Sequence, residues 1–374
     1  MISQTTTSIN HSSDNNKVSK ASAIIYINVA VAVIYHQNQY LLGFRNALQH
    51  QGNRYEFVGG KIDANETASQ ALIREVAEET GIDIADNSAV KLGRLHHDYG
   101  EKQVCLQVYK VALNAPQYEQ HKHRKQGLEG QALTWVDKSK LLAGDYDLPA
   151  ANKTILEWLR LPQQIVITYP LAYFSDAANP KVAWLKYHET HLAQNAWVYV
   201  RLKTIDSENS IEQFLRSRAD IQALVPDGFN SNEVNGVITN RQVVAKHLTH
   251  TELMQWLNHN QNNEVSHCGI GLNPSTNYPL IISCHDAESI HAANKLACVR
   301  LQQQLPPVIA IFLSPVLATQ THPETIALGW QTWSELAVLA DMPVIGLGGL
   351  SPKMSGQVEQ YGGIAVAGIR QFFQ

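Results

Sequence analysis

Residues 59–82, GGKIDANETASQALIREVAEETGI, constrain this chain more than any other stretch. Glu75, Glu78 and Glu79 are spaced by three and four, so a helix through them projects three carboxylates from one face. Like charges gathered on one helix face repel each other, and a folded chain rarely keeps them together without a cation. Hard divalent ions take oxygen ligands, bind through a few carboxylates and complete their shell with water and substrate phosphates. The cluster therefore reads as a metal and phosphate site, with a solvated acidic face as the competing reading.

At 374 residues the chain is longer than one core usually supports, so two domains are expected. Charged residues make up 17% and the net charge is −4, which leaves no polybasic signature for stable nucleic-acid binding. A nucleotide substrate stays compatible, because a metal and a local arginine can handle its phosphates. Cys105, Cys268, Cys284 and Cys298 form no CxxC pair and no metal-ligand spacing, and are expected as reduced thiols of a cytoplasmic protein. The apolar run 21–35 is interrupted by Asn28 and reads as a strand rather than a targeting segment. No stretch is long and apolar enough to span a bilayer, so no membrane partner is expected.

Residues 1–22 are polar and predicted to be a disordered tail. Strands are predicted at Ile24–Tyr35, Gln39–Phe44 and Tyr55–Val58, the last leading into the double glycine. The acidic helix is expected to be capped by Asn65 or Thr67, to run to about Thr80 and to end at Gly81. Further strands are predicted at Ala89–His97, Gln103–Ala112 and Gln131–Val136, and a closing helix at Ala151–Leu159. The segment HKHRKQGLEG, with His121 and His123, reads as a solvated loop rather than a metal pair. Residues 23–161 thus form one α/β unit.

Beyond Pro162 short apolar runs alternate with helical stretches. The runs are Ile165–Tyr169, Trp197–Leu202, Ile221–Val225, Gly236–Thr239, Leu280–Cys284, Val308–Leu313, Pro343–Leu347 and Gly363–Ala367. Their rhythm predicts a TIM-type (β/α)8 barrel over 162–374, with an open doubly wound sheet as the alternative.

The acidic segment resembles the Nudix box, GX5EX7REUXEEXGU, at every fixed position: Gly60, Glu66, Arg74-Glu75, Val76, Glu78-Glu79, Gly81 and Ile82. The resemblance implies an α/β/α sandwich with a mixed sheet and hydrolysis of nucleoside diphosphates linked to another group. It implies Mg²⁺, or alternatively Mn²⁺, held by Glu75, Glu78, Glu79 and the Gly59 carbonyl. Arg74 would orient the glutamates and Glu66 would brace the loop to the helix.

The flanks resemble the MutT-type branch, which clears oxidised guanine nucleotides. Tyr55-Glu56-Phe57-Val58-Gly59-Gly60-Lys61 is similar to its EFPGGK approach to the box, with Val58 in place of the proline. That implies substrate contacts from Phe57, Gly60 and Lys61, and from Arg45, fifteen residues before Gly60. Glu129 falls where the branch carries a further acidic metal ligand, and Asn152 where an asparagine reads the purine edge. Surface, core and helix-cap roles are the plainer readings of Arg45, Phe57 and Asn152.

The barrel half resembles the thiamin phosphate synthase and TenI family, most strongly in its last ninety or so residues. Val198–Lys203, Ser283-Cys284-His285, Ser314-Pro315-Val316, Gly346–Leu350 and Gly362–Ile369 carry the resemblance. It implies a phosphate site built from Arg201, Lys203, Ser283, His285, Gly348, Gly349 and Gly368, able to take a phosphorylated thiamin-like ligand. The synthase's acidic pairs are reduced here to Val225-Pro226-Asp227-Gly228 and Thr239-Asn240-Arg241-Gln242, and its lysine after strand six is absent. A barrel without synthase activity is therefore expected, with a His285-centred tautomerase as a further option.

The expected whole is a Mg²⁺-dependent hydrolase that converts oxidised purine nucleoside triphosphates, foremost 8-oxo-dGTP, to the monophosphate and pyrophosphate, joined to a largely non-catalytic barrel. The alternatives are a Nudix hydrolase of another diphosphate, one related to thiamin included, and a hydrolase tuned by a metabolite-sensing barrel.

Overall fold

The computed structural model describes residues 25–47, 52–98, 102–202, 207–229, 242–262, 274–320 and 323–373. The tail 1–22, Lys203, Cys268 and the run Gly236–Thr239 lie outside the described residues.

The first unit is built on β1 (Ile25–His36), whose β-branched residues favour an extended, buried strand. It pairs in parallel with β6 (Lys102–Ala112) along Ile25–Tyr35, and antiparallel with β2 (Gln39–Phe44) and β4 (Val58–Lys61). β3 (Tyr55–Glu56) and β7 (Ala132–Asp137) flank β2, and β5 (Ala89–Asp98) lies outside β6, making a mixed seven-stranded sheet. Alternation along β1 feeds both faces. Ala30, Ala32 and Ile34 pack with Ala71, Leu72 and Val76 of α1 (Ala68–Thr80). Val31 and Val33 pack on the opposite face with Ile155, Trp158 and Leu159 of α4 (Asn152–Arg160).

The acidic helix begins and ends as its sequence predicts. Thr67 accepts from the Gln70 backbone while the Gln70 side chain returns a bond to Thr67, and Gly81 closes α1 with φ of 69°. The stretch expected as one strand, Tyr55–Val58, divides at Phe57, and both glycines lie inside β4 rather than in a loop. The cause is close backbone approach, since a Cβ on Gly59 would stand 2.1 Å from the Ala30 carbonyl oxygen.

Two short helices escape the sequence pattern. α2 (Ala115–His121) is started by an Asn114–Gln117 capping box, and α3 (Lys138–Ala143) by Asp137. His121, expected in a solvated loop, is the buried last residue of α2.

The second unit is a closed eight-stranded barrel, which removes the open-sheet alternative. Its strands are β8 (Gln164–Ile167), β9 (Trp197–Tyr199), β10 (Gln222–Pro226), β11 (Val243–Leu248), β12 (Leu280–Cys284), β13 (Val308–Leu313), β14 (Val344–Leu347) and β15 (Ala365–Gly368). All neighbouring pairs are parallel. The fourth barrel strand is Val243–Leu248, so the segment expected to follow that strand, Thr239–Gln242, precedes it instead. The helices around the barrel are α5 (Pro180–His191), α6 (Ser207–Ser217), α7 (His250–Asn262), α8 (Ala287–Gln302), α9 (Gly329–Ala337) and α10 (Ser355–Gln360).

The two units share one apolar core. Leu92, Leu95 and Trp158 of the first pack in the same cluster as Val308, Ala340 and Met342 of the barrel. Gly93 lets β5 come close, because a Cβ there would meet the Asp341 carbonyl oxygen at 2.5 Å. Among the described residues no helix is long and apolar enough to cross a membrane.

Candidate active site

Arg74 is the hub of the polar face of α1. Its Nε and Nη2 each donate to Glu66 at 2.8 Å, Nη1 donates to Glu75 at 2.8 Å and to Glu78 at 3.0 Å, and Nη2 also reaches the Lys61 carbonyl at 3.0 Å. The planar fork suits this bidentate grip. Glu66 also accepts the Asp63 backbone N–H, and the Arg74 bonds, with that one, draw its pKa down to about 2. One guanidinium thus ties the loop after β4 to the helix and fixes two of its three glutamates.

Glu79 lies outside that grip. Burial, then the charges of Glu56, Glu129 and Glu75, push its pKa up to about 8, against a backbone hydrogen bond at Gly59. Glu75 lies on the glycine pair, for a Cβ on Gly60 would sit 2.2 Å from its carboxyl carbon. Glu129 is exposed, on a loop that clamps the end of α1. Leu128 N–H donates to the Glu79 carbonyl at 2.8 Å, Gln131 Nε2 donates to it at 3.2 Å, and Arg124 donates to the Thr80 carbonyl. These bonds satisfy carbonyls that a helix C-terminus leaves open, and they carry Glu129 toward the glutamates.

The donor set fits a hard divalent cation: carboxylate oxygens around a half-buried Glu79 whose neighbours repel its charge. The side chains are not gathered into a finished cage, since among the described residues no three acidic, histidine or cysteine groups stand in ligating array. Glu78, expected as a ligand, is exposed and paired with Arg74.

The flanking residues divide between the two faces of the sheet. Arg45 pairs with Glu56 at 3.2 Å, beside the carboxylates. Phe57 is buried in the cluster that holds Leu148 and Ile155, the α4 side. Asn152, also buried, opens α4, but the helix is capped at Ala151 without a side-chain bond, so capping does not explain the asparagine. Lys61 is exposed at the end of β4.

In the barrel, Arg201 follows β9 and its backbone N–H donates to Thr168 Oγ1 at 2.8 Å. Burial lowers the pKa of its guanidinium, and Tyr199 opposes this. Ser283 bonds His247 Nε2 at 2.8 Å, and His247 Nδ1 bonds the Tyr199 hydroxyl at 2.7 Å. His285 Nδ1 bonds the Ser314 carbonyl at 2.8 Å, and its ring lies 5.1 Å from that of His250. The glycines have packing reasons of their own: a Cβ would press Gly348 onto Pro315, Gly349 onto Leu317 and Gly368 onto the Phe372 ring. Sequence reasoning passed over Glu56, Arg124, Tyr199 and His247. Glu56, Arg124 and Tyr199 stood within quoted segments, and only His247 stood outside them all.

Residues 29–158 match the family model of the NUDIX domain. The chain is 30% identical over 135 residues to the 8-oxo-dGTP diphosphatase of Escherichia coli (strain K12), covering 36% of this chain and 96% of that protein. It is 35% identical over 136 residues to the 8-oxo-dGTP diphosphatase of Haemophilus influenzae, covering 36% and 90%. It is 31% identical over 137 residues to the CTP pyrophosphohydrolase of E. coli (strain K12), covering 35% and 89%. A complete box on a capped helix, and nearly the full length of these relatives, place the chain in the Nudix family as a hydrolase of nucleoside diphosphate derivatives.

Proposed function

We propose that this hydrolase sanitises the nucleotide pool by converting oxidised purine nucleoside triphosphates, foremost 8-oxo-dGTP, to the monophosphate and pyrophosphate. The observation that carries the reading is the environment of Glu79, a half-buried carboxylate crowded by Glu56, Glu129 and Glu75. Such a group attracts a divalent cation and, through it, a diphosphate.

Mg²⁺ is the ion of choice, with Mn²⁺ able to replace it. Glu75, Glu78, Glu79 and Glu129 would hold it together with the Gly59 carbonyl. When bound, the cation polarises a phosphoryl oxygen, neutralises developing charge and makes water a better nucleophile. Arg74 keeps Glu75 and Glu78 oriented, Glu66 anchors Arg74, and Gly60 leaves room for the Glu75 carboxylate. Arg45, Lys61, Phe57 and Asn152 supply the substrate contacts, the asparagine amide offering a donor and an acceptor to a purine edge.

Relatives that act on 8-oxo-dGTP and on CTP both stand near this chain, so the purine preference rests on those flanking residues. Steady-state hydrolysis of 8-oxo-dGTP, dGTP and CTP by the full chain tests it. A kcat/KM for 8-oxo-dGTP no higher than for dGTP overturns the reading.

A second reading concerns the barrel and is favoured by Arg201, a half-buried guanidinium whose charge is offset by Tyr199 and, among the described residues, by no carboxylate. It is a ligand site for a phosphorylated, thiamin-like metabolite, with Ser283 and His285 as further candidate contacts. Calorimetry with thiamin phosphate tests it, and absence of heat at millimolar ligand removes it.

A further inference from the structure

Glu56 belongs to no fixed position of the box, yet it pairs with Arg45 and its charge acts on Glu79. On the sheet it pairs across from Gly43, which places it diagonal to Arg45. Its Oε2 lies 3.2 Å from Arg45 Nη1, and both side chains are about two-thirds buried, at 33% and 28% exposure. The Arg45 backbone is pinned as well: its N–H donates to the Arg54 carbonyl at 2.8 Å and its carbonyl accepts from Asn53 at 3.1 Å. On the other side, Glu56 heads the charges that act on Glu79.

One atom of this pair is unexplained by the fold. Arg45 Nε is buried and has no hydrogen-bond partner among the described residues. A buried donor left unpaired is costly, and a guanidinium held by a carboxylate on one nitrogen still has donors in a fixed fork. Phosphate oxygens match that fork.

We propose that Glu56 is a positioning residue for substrate binding, holding Arg45 so that its guanidinium N–H donors meet a phosphate oxygen of the nucleoside triphosphate. This rests on the reading that the Nudix site takes nucleoside triphosphates, but not on which base they carry. The contact is to phosphate, so every nucleotide feels its loss alike.

The test is a double-mutant cycle on the full chain, with KM and kcat for 8-oxo-dGTP, dGTP and CTP and the Kd of a non-hydrolysable dGTP analogue. Glu56→Gln raises KM and Kd about tenfold, the worth of one charge-assisted hydrogen bond, while kcat moves less than KM. Arg45→Ala has at least as large an effect, the double variant is no worse than Arg45→Ala alone, and Glu56→Asp recovers part of the loss. Unchanged KM in Glu56→Gln, additive effects, or a raised Mg²⁺ requirement each overturn the proposal, the last by placing Glu56 on the metal. If Glu56→Gln does not fold, Glu56→Asp and Arg45→Ala carry the comparison. Equal kcat/KM for 8-oxo-dGTP and dGTP would defeat the sanitation reading and leave the cycle intact, because the shift is read on each nucleotide separately.

Discussion

Arg94 on the edge strand of the sheet and Asp341 on the barrel form an ion pair across 247 residues of sequence. The contact extends along the chain. The Arg94 N–H donates to the Asp341 carbonyl at 3.1 Å, Nη2 reaches the Leu339 carbonyl at 2.9 Å, and Lys91 Nζ reaches the Val338 and Ala340 carbonyls at 2.8 Å. Those carbonyls follow α9, where a helix end favours cations, so two basic residues of one unit cap a helix of the other. The barrel meanwhile covers the outer edge of β5, an edge that would otherwise invite strand pairing.

Removing Asp341 leaves the Arg94 guanidinium without its carboxylate in a mostly buried place. Asp341→Ala is expected to lower unfolding free energy by about 2 kcal/mol. Urea denaturation measures it, and an unchanged midpoint would show that the pair contributes nothing.

The same junction sets a pH window. The Asp341 bond, followed by Cys105, raises the His96 pKa from 6.5 to about 10, so its stabilisation is complete below 6.5 and fades as pH climbs toward 10. Burial works to raise the Asp341 pKa, but His96 and Arg94 outweigh it and hold it below 3.8, so that contribution is lost on acidification beneath that value. Thermal stability should therefore be greatest between about pH 4 and 6.5 as far as this junction governs it. His96 is half exposed, so the effect is a modest one, read as a flatter decline above pH 7 in His96→Ala than in the parent.

A methyl group at Gly60 would press on the Glu75 carboxylate from 2.2 Å away. The end of a flexible side chain can yield, so Gly60→Ala should fold while displacing a group the chemistry needs. We expect kcat to fall about a hundredfold with little change in melting temperature. Near-parental kcat would mean that the position of Glu75 is not critical.

Glu79→Gln keeps the side chain's volume and removes an ionisable carboxylate whose charged form its neighbours oppose. Hydrolysis is expected to drop by two orders of magnitude or more, on the order of losing one key electrostatic group, while the metal-free protein melts no lower than the parent. Retained activity would remove Glu79 from the metal set.

The acidic helix was legible because its signals are local: Thr67 at the start, Gly81 at the end, and carboxylates spaced for one face. Barrel rhythm was legible for the same reason, with seven apolar runs falling on or beside observed strands. The fourth strand was missed because VVAKHL carries Lys246 and His247, which weaken its apolar pattern; both are satisfied in the fold, Lys246 donating to the Asp227 carbonyl at 3.0 Å and His247 bonding Tyr199 and Ser283. Glu56 enters the site only through sheet register, opposite Gly43, and a linear motif does not encode register. Arg124 reaches α1 from 44 residues away for the same kind of reason.

The apolar seam through Leu92, Leu95, Trp158, Val308 and Met342 gives the fusion a practical meaning. Separating the sheet unit from the barrel would cost each its share of this seam. It would bare tryptophan and leucine on one product and valine and methionine on the other, two adhesive faces in water. The barrel therefore serves as one wall of the sheet unit, so a change of side-chain volume on either side of that seam is felt on the other.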